Sequence, residues 1–238
     1  MVADKVRIRF RKDGDLRFVS HHDLMRSFER MLRRAGLPFH STNGFNPKPR
    51  LVFALSLPLG IVGCAELAEL ELDSLVAPQE IHERLASQAP AGLSILGVER
   101  VHPKTTAHVR LVRYRVRLAP AQSAGLTQRI EQLLNRPDCW VERTRPEKRR
   151  IDLRPYLSVI RETAASLEME LRVTPQGTAR PEEVLRLLEL ERLIEDGVVV
   201  ERTAVIVEED VHKTSSPSAA AETDLKIEKE SHEERNAH

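Results

Sequence analysis

Along this chain the spacing of apolar residues switches between the period of a strand and the period of a helix, and the switches come in the same order twice. Val6-Arg7-Ile8-Arg9-Phe10 alternates apolar with basic, as a half-buried strand does. Asp13-Gly14-Asp15 reads as a turn, and Ser20 then opens a helix. Leu24, Phe28, Met31, Leu32 and Ala35 recur there about every 3.6 residues. Ser20 and Asp23 have the spacing of a capping box, and Gly36 ends the helix. The apolar run Leu51 to Leu59, the Glu/Leu alternation from Ala65 to Leu72, a helix from Pro78 to Ser87 and a strand from Leu93 to Val101 complete a β-α-β-β-α-β order.

The second half repeats that order. Val109 to Leu118 is a strand with a basic face, Ala121 to Leu134 is helical, and Cys139 to Arg143 is a short strand. Arg145 to Arg150 is a basic connection, after which Ile151 to Leu153 resumes pairing. Ser166 to Val173 is a strand, Arg180-Pro181-Glu182-Glu183 opens a helix to about Glu195, and Val198 to Val207 is the last strand. The expected class is α+β: two tandem ferredoxin-like (split βαβ) units, residues 1–103 and 104–208. The alternative is a single larger α+β sheet. Residues 209–238 are Ser-, Ala-, Glu- and Lys-rich without an apolar pattern, which predicts a disordered tail.

Hydrophobic residues make up 41% of the chain but aromatics only 4%, so the cores must rest on Leu, Val, Ile and Ala. No apolar run approaches a membrane span, and the charged N-terminus runs straight into a strand, which argues against a signal peptide. Cys64 and Cys139 stand apart, as expected of a reduced, cytoplasmic protein. They assemble neither a zinc site nor an iron–sulfur cluster, and no cofactor is expected. The net charge of +1 conceals alternating blocks. Residues 1–50 carry +7, residues 51–103 carry −5, residues 104–155 carry +8 and the remainder carries −9. Basic blocks of this size attract phosphate backbones, unless neighbouring acidic segments neutralise them.

Candidate site residues cluster in four places. Ser20, His21, His22 and Asp23 begin the first helix, where free amides and the dipole favour an anion. The plain alternative is a capped helix with two surface histidines. Asn43-Gly44-Phe45-Asn46-Pro47-Lys48-Pro49-Arg50 is a loop stiffened by its prolines. Lys48 and Arg50 could hold phosphates, with Asn43 and Asn46 beside them. Phe45 could stack a base, although a core anchor is the slightly favoured role. Arg143, Arg145, Lys148, Arg149, Arg150 and Arg154 form the densest basic cluster. Arg180 stands at a further helix start, which lacks the glycines and lysine of a nucleotide-binding loop. Both cysteines read as small core residues rather than nucleophiles.

The stretch from Arg7 to Gly60 resembles the N-terminal signature of the radical-SAM-linked (radical-SAM-associated) protein family. Phe10, Lys12, Gly14, Arg17, Phe18, Ser20, His21 and Asp23 carry the first block. Gly44 to Arg50 and Leu57-Pro58-Leu59-Gly60 carry the second. Lys148 to Pro155 and Gly177 to Leu185 are also similar to motifs of that family, so the likeness spans about residues 5–205. Lys48 stands where many relatives carry His. Members occur alone or fused to a radical SAM enzyme, and tend to be encoded near ribonuclease E/G-type proteins. The resemblance implies an accessory role near RNA metabolism with a radical SAM enzyme as partner.

Together these readings favour an RNA-binding accessory protein for tRNA or rRNA modification or maturation, without catalytic activity of its own. Arg17 joins the anion-binding set through its place in the first block. A docking module for a radical SAM enzyme, without RNA contact, is the second reading. A metal-independent RNA endonuclease using His21 or His22, with Asp23 beside them, is the third.

Overall fold

A computed structural model describes residues 2–144 and 148–208. The expected disordered tail and Arg145 lie outside the described residues. The first half contains β1 (Asp4–Lys12), α1 (His21–Arg34), β2 (Leu51–Phe53), β3 (Val62–Leu72), α2 (Pro78–Gln88) and β4 (Leu93–Val101). The second contains β5 (Val109–Arg117), α3 (Leu126–Asn135), β6 (Trp140–Arg143), β7 (Arg149–Asp152), β8 (Leu157–Thr163), β9 (Ser166–Thr174), β10 (Gly177–Thr178), α4 (Pro181–Leu187), α5 (Arg192–Glu195) and β11 (Val200–Val207).

Among the described residues, nine strands form one mostly antiparallel sheet. Its main path is β10-β9-β5-β11-β3-β1-β4, with β2 also on β3 and β8 also on β9. The mixed α and β content and the first-half element order follow the sequence reading. The single continuous sheet is the arrangement the sequence left as its alternative. The two halves join where β11 runs parallel to the start of β3, Glu201 opposite Val62 and Arg202 opposite Gly63.

Alternation explains which faces are covered. Val6, Ile8 and Phe10 of β1 point to one side, onto Leu24, Phe28, Met31 and Leu32 of α1 and Ile81 and Leu85 of α2. Each such side chain, fully buried, contributes about 1.5–3 kcal/mol. A second core gathers Val112 and Val116 of β5, Ile130 and Leu133 of α3, and Leu167, Met169 and Leu171 of β9. Leu57, Ile61 and Leu67 from the first half also belong to this second core.

The structure departs from or adds to the sequence reading in four places. The run Leu51 to Leu59 is a strand only over its first three residues. Beyond them the Leu55 and Ser56 carbonyls accept from the Arg202 guanidinium instead of a neighbouring strand. The strand at Cys139 to Arg143 is not in the main sheet, because β6 pairs with β7 in a separate ribbon. β8 was missed, since Leu157-Ser158-Val159-Ile160 lacks strict alternation and its register slips between Leu157 and Val159. The helix expected from Arg180 to about Glu195 is two short ones, broken near Glu189, whose φ is +58°.

Candidate functional site

The first two motifs meet along α1. Ser20 caps it: its hydroxyl accepts from the Asp23 amide at 3.2 Å and donates to the Asp23 carboxylate at 2.7 Å. His21 is therefore the first helical residue. Its ring lies edge-on to Phe53 of β2, with centroids 5.3 Å apart. Phe53 in turn packs with Phe10 and Phe28, an aromatic cluster that binds β1, α1 and β2 together. His22 is exposed, 6.2 Å from His21 between centroids. Burial, His22 and Lys12 all push the pKa of His21 below its ordinary value. Lys12 is fully buried and donates to the Val19 carbonyl at 2.9 Å. Burial lowers its pKa too, against the opposing pull of Glu66, while Arg202 adds to the lowering.

The loop after α1 is closed by its own backbone. Thr42 N–H donates to the Lys48 carbonyl at 2.8 Å, and Lys48 N–H donates to the Thr42 hydroxyl at 3.1 Å. Arg33, in the last turn of α1, donates to the Pro47 carbonyl at 2.9 Å. This framework leaves Asn43, Phe45, Asn46, Lys48 and Arg50 exposed. Phe45 is 106% exposed, so it anchors no core. The buried residue of the loop is Pro49. Arg50 reaches Glu71 at 3.4 Å. Arg17 lies with its guanidinium 4.5 Å above the ring of Phe18, which is 59% exposed.

The second basic group sorts itself by strand parity. In β6, Val141 and Arg143 point inward, Trp140 and Glu142 outward. Arg143 is structural: it forms a two-pronged pair with Glu183 of α4 at 2.6 and 2.7 Å and donates to the Thr178 carbonyl. Glu183 also accepts from the Arg180 amide at 2.9 Å, so the carboxylate at this helix start is the chain's own. Arg180 itself is exposed. Arg149 and Arg150 of β7 are exposed, and Arg150 lies 4.9 Å over the ring of Trp140. Lys148 approaches Glu142 at 3.5 Å. Arg154 is half-buried and donates to the Arg136 carbonyl, which ties down the turn after β7. Among the described residues, no hydrogen bond, ion pair or ring contact joins this group to the α1 group.

Trp140 is the residue that sequence reading overlooked as a site candidate. It is the chain's single Trp, two register steps from Arg150, and an outward position in a short alternating strand would have marked it. Cys139 is buried and Cys64 half-buried, and burial raises both thiols. Among the described residues, no three His, Cys, Asp or Glu side chains gather as metal ligands, and no helix is long and apolar enough to cross a membrane.

Residues 5–181 match the sequence model of a family described as "Uncharacterized protein conserved in bacteria (DUF2344)". No curated protein matches the chain. Among solved structures, the crystal structure of an unknown protein from Galdieria sulphuraria is similar over 86% of this chain and 99% of its own. Sequence identity is 13% and the TM-score 0.25.

Proposed function

We propose that this chain, which belongs to the DUF2344 family of uncharacterized proteins conserved in bacteria, is an RNA-binding accessory protein. It acts in the cytoplasm with a radical SAM enzyme or an RNA-processing assembly. Its two halves are read as split βαβ units fused through one sheet. The observation that carries the reading is the β6–β7 ribbon. It stands outside the main sheet and presents Trp140 with the Arg150 guanidinium over it, beside the exposed Arg149 and Lys148. An exposed ring loaded with a cation suits a base and its phosphate together. The sheet face of the second half suits RNA less, because its arginines are already matched: Arg113 with Glu170, Arg115 with Glu201 and Arg161 with Glu168. Phe45, bare at the tip of a braced loop, favours a second reading in which that loop docks on the protein partner.

Fluorescence anisotropy with bulk tRNA and rRNA fragments across a salt series tests the proposal. Wild-type protein is expected to bind with a steep salt dependence. Arg149→Glu/Arg150→Glu should lower the magnitude of the log–log slope by about 1.5, since each neutralised phosphate contributes roughly 0.7–0.9. Trp140→Ala should weaken binding by about 1–3 kcal/mol. Absence of binding at low salt would discard the RNA reading in favour of the docking module.

A further inference from the structure

A second feature with binding chemistry lies at the seam between the two halves, away from the ribbon. An open cleft of about 430 Å³ is lined by Arg17, Val62, Arg117, Val198, Val199 and Glu201. Its volume falls in the ordinary range for small-molecule sites, about 300–1,000 Å³. Val62 begins β3, and Val198 and Val199 lead into β11, so the apolar part of the lining comes from the point where the two strands come together. The charged part of the lining is Arg17, Arg117 and Glu201. Arg17 is placed by the Gly60 amide, which donates to its carbonyl at 2.9 Å, and its guanidinium is seated on Phe18.

Arg117 is the exception on its strand. Arg110, Arg113 and Arg115 of β5 each meet a glutamate: Glu208, Glu170 and Glu201. Neither Arg117 nor Arg17 has a carboxylate partner among the described residues. The one acid in the wall, Glu201, is held by two guanidinium nitrogens of Arg115, at 2.8 and 2.6 Å. Two arginines without a carboxylate partner therefore line one cleft together with three valines, and the guanidinium of one of them, Arg17, is stacked on Phe18.

We infer that this cleft binds a phosphorylated nucleoside, its phosphate between Arg17 and Arg117 and its base against the valines and the Arg17 plane. The inference deepens the RNA reading: the same chemistry is offered by the phosphorylated end of an RNA and by a free mononucleotide. It differs from the ribbon site in residues and in place.

The test is isothermal titration calorimetry of the full chain with the four nucleoside 5′-monophosphates, with inorganic phosphate, and with a short single-stranded RNA bearing or lacking a 5′-phosphate. Binding of at least one monophosphate is expected at least tenfold tighter than inorganic phosphate. Arg117→Ala and Arg17→Ala should each reduce it at least tenfold, with the circular dichroism spectrum unchanged. Arg149→Glu/Arg150→Glu should leave it intact. If the 5′-phosphate strengthens RNA binding through Arg117, the source is an RNA end. If monophosphates bind through Arg117 while no RNA binds, the cleft is a free-nucleotide site and the RNA reading falls alone. If no monophosphate and no 5′-phosphorylated RNA binds, or if Arg117→Ala binds as the wild type does, the inference is wrong. Bulk RNA binding through the ribbon would survive that result.

Discussion

His21 carries a proton less readily in the fold than in the unfolded chain. Burial is the main cause, and the charges of His22 and Lys12 add to it. Because its folded pKa is depressed below 6.5, the unfolded chain takes up the proton first. The stability held by neutral His21 is therefore complete above that pH and lost as pH falls below it. Thermal melts of wild type and His21→Gln between about pH 7 and 5 check this: the variant should lose Tm less steeply with acid. Parallel curves would mean that His21 is not the group responsible. The positions of His21 and His22 at a helix start were legible from Ser20 and Asp23 alone. The ring of Phe53 against His21 was not, because Phe53 stands on β2, beyond the whole of α1 and the loop that follows it. Phe45 shows the same limit from the other side: a lone aromatic in a loop reads slightly better as an anchor, and only its full exposure in the fold overturns that reading.

At the scale of elements, α1 is specified locally and the placement of β6 and β7 is not. The Ser20 cap, the apolar stripe and the stop at Gly36 all lie within one window of sequence. Ser20→Ala should cost about 1 kcal/mol in urea denaturation, with an unchanged m-value, because one capping bond is lost and no core is touched. No loss would show that Asp23 alone sustains the helix start. By contrast, β6 and β7 have ordinary strand sequences, and nothing in them says that they leave the sheet. Arg143 is what ties them to the rest of the fold. Its inward parity sends it to Glu183, a residue forty positions away, so the ribbon is fastened to α4 by a buried ion pair. Reading the basic run as one surface cluster therefore overcounted it by Arg143, while Arg149 and Arg150 do reach solvent.

At the scale of the whole molecule, one buried charge pair fastens the seam. Arg202 of β11 donates to Glu66 of β3 and to the Leu55 and Ser56 carbonyls, with 1% of its side chain and 4% of its partner's exposed. Burial opposes its charge, but Glu66 and Tyr114 together outweigh that burial, so its pKa is raised. Gly63 leaves the room: a Cβ there would lie 2.6 Å from the Glu66 side chain. Arg202→Met alone should cost about 3–5 kcal/mol, because it strands a buried carboxylate. Combined with Glu66→Leu, part of that loss should return. Denaturation of both variants decides the matter, and equal loss in the double variant would mean that the pair does more than neutralise itself. The sequence by itself determined the alternation of strands and helices, the first-half order of elements and the place of the first recognition loop. Each follows from periodicity, capping and turn chemistry within a short window. Tertiary structure alone decided that the halves share one sheet, that Arg143 and Arg202 are buried while Arg117 and Arg150 are open, and that a cleft forms at the seam. Those outcomes rest on pairings between residues far apart in the chain, and local spacing holds no information about which distant carboxylate a given arginine will meet.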